Sequence, residues 1–384
     1  MNNIFLGTGA LSVFEKPVVI LSFFQALKMQ KSMLSFISLL TLKLSYFYLT
    51  ETQNMIDEQK NLITVLMPVY NSELFVRDAI QSILHQSYQN FEFLIINDGS
   101  TDQSHTIISS FSDSRIKYIN NIANKGIVET LNEGLKLSKG RYIARMDADD
   151  IALPDRLSKQ VKFLTANPTY KLCGSRALTI DITGKEINKL NRPKHSAKIK
   201  VFNLFRNAFL HPTIMADAET IKKFAYSEDF KYAEDYFLFS QITMAYPVAN
   251  LNERLLHYRI HEGSITSKKR EEMVQSELKT IAYLLSFLFD KVDQQSLLIH
   301  HSILRPEDAS FSTHEVEHHL INILKANYEK HIFEQKALKK QLQKDWYNYL
   351  QKSNNKSSLN KFLKSDLFTF SNLNLKQVIK LLLK

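Results

Sequence analysis

A chain of 384 residues has room for roughly two to three domains, and 44% apolar residues is ordinary for a protein that buries a real core. Its one cysteine, Cys173, excludes an intrachain disulfide framework and makes a reducing compartment the default. The formal net charge of +10 is uneven: residues 336–384 hold eleven Lys against two Asp, so a chain-wide basic field is a poor reading and no nucleic-acid partner is expected.

Residues 1–54 form an apolar, basic extension. Within it, 32–50 is mostly apolar, with Lys43 the only charge. Three readings compete. A transmembrane helix would carry Lys43 at mid-segment, at a cost of about 2.5 kcal/mol or more. A signal peptide lacks a clean small-x-small cleavage site. The favoured reading is an extension outside the mature protein, with Met55 as the natural start. Gly7-Thr8-Gly9 looks like a dinucleotide fingerprint but has Ser12 where a third Gly is needed, and is rejected.

From residue 62 the pattern changes. The Val- and Ile-containing run 62–69 reads as a buried strand. Asn71 or Ser72 is placed to cap a helix striped with Phe75, Val76, Ala79, Ile80, Ile83 and Leu84. A second strand, 91–96, ends in the turn Asn97-Asp98-Gly99-Ser100-Thr101-Asp102. A weaker helix follows through Phe111, then a strand at 115–119. Gly126 opens the next helix and Gly140 stops it. A strand at 141–146 runs straight into Asp147-Ala148-Asp149-Asp150. Pro154 starts a helix through Leu157, Val161 and Leu164, and 170–174 reads as a further strand. Strands alternating with helices predict an α/β fold with a mostly parallel sheet, whose ligands bind beyond the strands' carboxyl ends. Three polar clusters fall at those ends: Tyr70-Asn71, Asn97-Asp98-Gly99, and the acidic run.

In an extended segment side chains alternate, so Asp147 and Asp149 point one way and Asp150 the other. Two carboxylates on one face suit Mg²⁺ or Mn²⁺, and a diphosphate completes the shell of such an ion. The competing reading is an acidic turn that caps the following helix. Asp98 either accepts hydrogen bonds from a base or ribose, or only shapes its loop. Glu234 and Asp235 precede a helical stretch with Phe237, Leu238, Ile242 and Ala245. Spacing alone favours capping acids there over a general base.

With those residues laid out, 62–267 resembles the family 2 glycosyltransferases. Two segments carry the resemblance: ITVLMPVYNSELFVRDAIQSILHQSYQNFEFLIINDGSTD and NKGIVETLNEGLKLSKGRYIARMDADDIALPDRLSKQ. HPTIM, YAEDYFLFSQI and LLHYRIHEGSIT add weaker matches. The resemblance implies a GT-A fold, Rossmann-like with flanking helices, and an inverting transferase using a nucleoside-diphosphate sugar, often UDP-linked, with Mg²⁺ or Mn²⁺. It puts Pro68, Tyr70 and Glu73 at the nucleoside, Asp98 on the base, and Asp147 by the ribose and diphosphate. Asp149, with Asp147 beside it, would hold the metal. Asp235 would be the catalytic base, with Glu234 next to it. Asn97 stands where many members have an acid. His211 and His261 also echo the family, and a buried structural role is at least as good a reading for His211.

The expected organisation is the extension 1–54, a catalytic domain at 55–267 and a helical, Lys-rich region at 268–384. In that last region His300, His301, His314, His318 and His319 invite a metal reading, but no third ligand is placed, and a polar helix face is preferred. Trp346, Tyr347, Phe362, Leu363, Phe368 and Phe370 among the lysines suggest peripheral contact with an anionic membrane. That would place the enzyme in the cytoplasm, at the inner face of a bacterial plasma membrane. There it would act on a glycan or lipid-linked acceptor in polysaccharide, lipopolysaccharide or capsule synthesis. Two alternatives stand: a nucleotidyltransferase, which would want a Gly-rich basic loop where Pro68-Val69-Tyr70-Asn71-Ser72 stands, and a non-catalytic sugar-nucleotide binder on the same fold.

Overall fold

A computed structural model describes residues 39–46, 61–261, 269–305, 311–352 and 358–369. The chain divides into two units, residues 1–60 and 61–384. In the first, 39–46 form a helix with mostly exposed side chains. The rest of the N-terminal extension, and the expected boundary at 267/268, lie outside the described residues. Among the described residues, no helix is long and apolar enough to cross a membrane.

The second unit is built on a nine-stranded sheet of order β3-β2-β1-β4-β8-β6-β9-β5, with β7 paired to β6. Its first half follows the predicted alternation closely: β1 (Ile63–Val69), α1 (Val76–Leu84), β2 (Phe91–Asn97), α2 (Ser104–Ser109), β3 (Ile116–Asn120), α3 (Ile127–Leu137) and β4 (Tyr142–Arg145). β1 pairs in parallel with β2 and β4, and β2 with β3. β1 is buried throughout and apolar but for Thr64, because both its faces are covered. Val65, Met67 and Val69 join one core with Val76, Ala79, Ile80 and Ile83 of α1. Leu66 joins another with Val128, Leu131 and Leu135 of α3. The close approach of α3 needs Gly134, where an added methyl would collide with the Leu66 side chain.

Beyond β4 the sheet is mixed. β5 (Ile151–Ala152), α4 (Arg156–Ala166), β6 (Leu172–Ile180), β7 (Glu186–Leu190), α5 (Ser196–Asn203), β8 (Met215–Asp217), α6 (Ala218–Phe224), α7 (Glu234–Ala245) and β9 (Val248–Arg259) follow in order. β8 runs antiparallel to both β4 and β6, whereas β6 and β9 are parallel. Parallel pairing therefore covers the first four strands and β6–β9. β7 escapes an apolar reading because four of its five residues, Glu186 to Lys189, are exposed. Neither Asn71 nor Ser72 caps α1, which starts at Val76 without a side-chain cap. Asn71 is instead left-handed (φ 47°) and accepts a hydrogen bond from Thr101 N.

The helical C-terminal region comprises α8 (Arg270–Leu285), α9 (Gln294–Ser302), α10 (Thr313–Lys330), α11 (Gln335–Lys352) and α12 (Ser358–Lys364). These helices share one core with Val201, Leu204, Phe205, Ala233 and Tyr236 of the α/β part. Trp346, Tyr347 and Phe362 are buried in that core, so the aromatic side expected to meet a membrane faces other helices. Leu363 is exposed, Phe368 packs partly against the core, and Phe370 lies outside the described residues.

Candidate active site

The carboxyl ends of β1, β2 and β4 lie side by side, as the register Val69↔Asn97 and Leu66↔Arg145 requires. Two of the loops leaving them are laced together. Asn71 N donates to Ser100 Oγ, Glu73 N to Asp102 Oδ2, and Gln103 N to Glu73 Oε2 (3.0, 2.9 and 2.9 Å). Tyr70 is half exposed at the rim, and Pro68 is buried one strand position below Val69. The Asn97 amide donates to Asn120 Oδ1 at 2.7 Å and accepts from Ser100 N, a double task that an ionised acid at this position could not perform.

Asp98 is buried and engaged. Its Oδ1 accepts from Lys125 N and its Oδ2 from Gly126 N, both at 2.9 Å. Gly126, at φ 93°, is the residue before α3, so Asp98 ties the entry of that helix to the end of β2. These two bonds shape the loop that follows β2.

The acidic run departs from strand alternation because β4 ends at Arg145 and a turn follows. All three carboxylates converge: ligand atoms of Asp147, Asp149 and Asp150 lie within 4.8 Å of one another. Asp150 does not cap α4. Its Oδ1 accepts from Arg259 N at 2.8 Å, while its Oδ2 is buried without a hydrogen-bond partner. Asp149 Oδ2 accepts from His261 Nε2 at 2.9 Å, and Asp147 Oδ2 is ion-paired with Arg145. Burial raises the Asp147 carboxyl against the pull of Arg145. Burial, then the charges of Asp147 and Asp149, push the Asp150 carboxyl well above the usual range. Three crowded carboxylates with an orphaned buried oxygen make a donor set suited to a hard divalent cation.

Two buried arginines support this loop. Arg156, fully buried, donates to the carbonyls of Arg145 and Ile214, and burial lowers its guanidinium to about 10. Arg259 donates Nε to Asp149 O and NH1 to the carbonyls of Asp181 and Ile182 (2.8, 3.0 and 3.1 Å).

Glu234 and Asp235 open α7. Asp235 Oδ1 accepts from Tyr236 N, and its Oδ2 from Asn207 Nδ2 (2.7 and 2.8 Å). Burial pushes Asp235 up to about 6; it also pushes Glu234 up to about 7, with the charge of Asp235 adding to it. Arg145 lowers both and the charge of Asp147 raises Asp235, so the two acidic groups sense one another around one buried guanidinium.

His211 is hydrogen-bonded to Tyr226 Oη at 2.8 Å and packs edge-on against Phe239. Burial, then the charge of Arg145, holds it well below its ordinary pKa, so it is a neutral wall of the site. The C-terminal histidines do not gather. His300 pairs with His319, whereas His314 and His318 only approach ring to ring at 6.3 Å. Among the described residues, the acidic run is the one grouping of three or more metal-capable side chains.

Residues 64–226 match the family described as Glycosyl transferase family 2. The Escherichia coli protein named UDP-Glc:alpha-D-GlcNAc-diphosphoundecaprenol beta-1,3-glucosyltransferase WfgD is 30% identical over 59% of this chain and 92% of its own. The chain belongs to glycosyltransferase family 2. The O-antigen biosynthesis glycosyltransferase WbnJ, also from Escherichia coli, is 35% identical over 53% of this chain and 82% of its own. The fold is shared with the crystal structure of S. aureus TarS 1-349 in complex with UDP-GlcNAc. The TM-score is 0.51 at 19% identity, covering 75% of this chain and 89% of that one.

Arg145, Arg259 and Asn207 went unnoticed in the sequence. Arg145 had a signal, a lone charge closing an apolar strand just before the acidic run. Asn207, between Arg206 and Ala208 and outside every segment that carries the resemblance, had none.

Proposed function

We propose that this glycosyltransferase moves a sugar from a nucleoside-diphosphate donor, UDP-linked, to a hydroxyl of a glycan or lipid-linked acceptor. The transfer inverts the anomeric centre. The observation that carries the reading is the pairing of two acidic groups, Asp147/Asp149/Asp150 and Glu234/Asp235, around the buried Arg145. Asp149, Asp147 and Asp150 would hold Mg²⁺ or Mn²⁺. When bound, that ion supplies positive charge to the departing diphosphate.

The other roles belong to the chain's own side chains. Pro68, Tyr70 and Glu73 line the nucleoside pocket, with Asp98 fixing the shape of its floor. His261 orients Asp149, and Arg259 fixes the backbone beneath it. Asp235 accepts the acceptor's hydroxyl proton. With its pKa near 6 it is ionised at neutral pH and still basic enough to take that proton. Glu234 beside it adds negative charge.

A lipid-linked acceptor is supported by the rim. The Arg259 guanidinium lies over the Phe75 ring at 4.7 Å and bonds Ile182 O, and the backbone at or next to these contacts carries three exposed apolar residues: Leu74, Ile182 and Ile260. The name of WfgD includes a diphosphoundecaprenol acceptor, in keeping with that apolar rim. We infer a peripheral position at the inner face of a bacterial plasma membrane, with lysines of the C-terminal region contributing charge rather than its aromatics. The pathway class is surface polysaccharide, lipopolysaccharide or capsule synthesis.

The test separates the two acidic groups. Asp149→Asn should lose Mn²⁺-dependent binding of nucleoside diphosphate, and Asp235→Asn should keep that binding and lose transfer. A wild-type chain that binds donors but transfers to no hydroxyl, with Asp235→Asn indistinguishable from it, would leave only a non-catalytic binder.

A further inference from the structure

We propose that Asn207 is a positioning residue for the Asp235 carboxylate, and that the C-terminal helices hold Asn207 in place from behind. The inference rests on the reading of Asp235 as the base and extends it to residues no motif contains.

The Asn207 amide is fixed at both ends. Its Nδ2 donates to Asp235 Oδ2 at 2.8 Å, and its Oδ1 accepts from Phe209 N at 3.0 Å. Flipping the amide would face oxygen to carboxylate and nitrogen to N–H, so one orientation is selected. With Tyr236 N on Oδ1, each oxygen of Asp235 is held by one donor. A carboxylate pinned this way keeps its remaining lone pairs aimed in one direction, and both donors favour its ionised form.

Asn207 sits in an irregular turn between α5 and the 3₁₀ segment His211–Thr213, where a side chain would otherwise be free to wander. The turn is gripped from two sides. From the α/β part, Tyr236 Oη donates to Asn203 O at 2.6 Å, Ala208 N to Asn203 Oδ1 at 2.8 Å, and Asn250 Nδ2 to Ala208 O at 3.1 Å. From the C-terminal helices, His300 Nε2 donates to Leu204 O at 2.8 Å, and its ring stacks on Phe205 at 4.7 Å. With Nε2–H used, His300 Nδ1 accepts from His319 Nε2 at 3.0 Å. Arg206 pairs with the buried Asp345 of α11 at 3.3 Å. Leu204, Phe205 and Arg206 are thus each bound by α9 or α11, immediately before the residue that touches the base.

The charged and titratable groups acting on Asp235 are Glu234 beside it and Arg145 and Asp147 from β4 and the acidic loop; the buried Tyr226 senses the charge of Asp235 in turn. Asn207 is the neutral donor among them. A merely structural asparagine and a positioning one differ in what their loss does to pH dependence.

The experiment compares Asn207→Ala, the isosteric Asn207→Asp and Asp235→Asn in the full chain, measuring kcat, donor KM, thermal melting and the pH profile of kcat. Asn207→Ala should lower kcat roughly 10- to 100-fold, with donor KM within about threefold, and its acidic limb should move to higher pH. Asn207→Asp, which puts a second carboxylate against the first, should move the limb further up. If Asn207→Ala fails to fold, Asn207→Asp decides the question. If Asp235→Asn is inactive while the foldable Asn207 variants keep the wild-type limb, the inference is overturned, whatever their melting temperatures. If Asp235→Asn itself transfers normally, the base assignment falls first and the inference with it.

Discussion

The backbone N–H of Arg259 meets Asp150 Oδ1 at 2.8 Å, joining the end of β9 to the acidic loop after β4 across 109 residues of sequence. The same arginine bonds the Asp149 carbonyl with its side chain. The last residue of the sheet's final strand therefore sets the height and tilt of the loop that carries the proposed metal ligands.

Arg259→Met tests that dependence. It keeps the backbone bond and removes three hydrogen bonds to carbonyls, together with the cation stacked on Phe75. The expected cost is about 2–4 kcal/mol of stability, because a charged donor leaves several buried acceptors unpaired. Nucleoside-diphosphate affinity in Mn²⁺ should fall about tenfold or more, read by calorimetry at a temperature where the variant is folded. Unchanged affinity would mean that the loop holds its shape without the arginine.

Asp235 gives the reaction its pH dependence. The base must be ionised to take a proton, and burial has raised its pKa to about 6. Activity should therefore be full above neutrality and fall as pH drops through about 6. Glu234, near 7, also loses its charge in that range, so the fall should be broader than a single titration. A limb at the ordinary carboxylate value near 4 would contradict the buried environment.

The His300–His319 pair predicts acid sensitivity of the fold. Burial lowers His300 to about 3 and His319 to about 4, from an ordinary 6.5. Both are neutral in the folded chain, whereas the unfolded chain takes up protons below about 6.5. Stability is thus complete above that value and is lost as pH falls from it toward about 4. Each histidine contributes about 1–2 kcal/mol of this loss by pH 5. Melting temperatures at pH 7.5 and 5 measure it, and His319→Gln should flatten the dependence.

The apolar rim predicts a split between two activities. Ile182→Asp and Ile260→Asp change exposed side chains beside the acidic loop without entering a core. Donor hydrolysis should stay within about twofold of wild type, because surface substitutions perturb little. Transfer to an acceptor carrying a polyprenyl chain should fall much further than transfer to its water-soluble sugar analogue. Equal losses on both acceptors would remove the rim from acceptor recognition.

The legible and illegible parts of this chain differ in range. β1, β2, α1 and α3 were readable because both faces of the parallel strands are covered, which writes continuous apolar runs and a helical period into the sequence. The acidic run was readable because three carboxylates at a strand end have few other uses. Its geometry was not, since a turn replaced the assumed strand and turned Asp150 inward. β7 and β9 carry charged residues on exposed faces and gave no period to read. Asn207 and Arg259 act through contacts 28 and 109 residues away, which no local pattern encodes. The aromatic and lysine pattern of residues 336–370 reads the same whether its apolar side meets lipid or another helix. Trp346 and Phe362 meet helices.

The most direct test of the central claim is nucleoside-diphosphate release by the full chain from a panel of sugar nucleotides in Mn²⁺, with Asp149→Asn and a chelator-treated sample alongside. One UDP-sugar is predicted to turn over, and both controls are predicted to abolish its release. If no sugar nucleotide is cleaved or bound, or if release continues undiminished in Asp149→Asn, the acidic loop is not the donor site and the proposed mechanism is wrong.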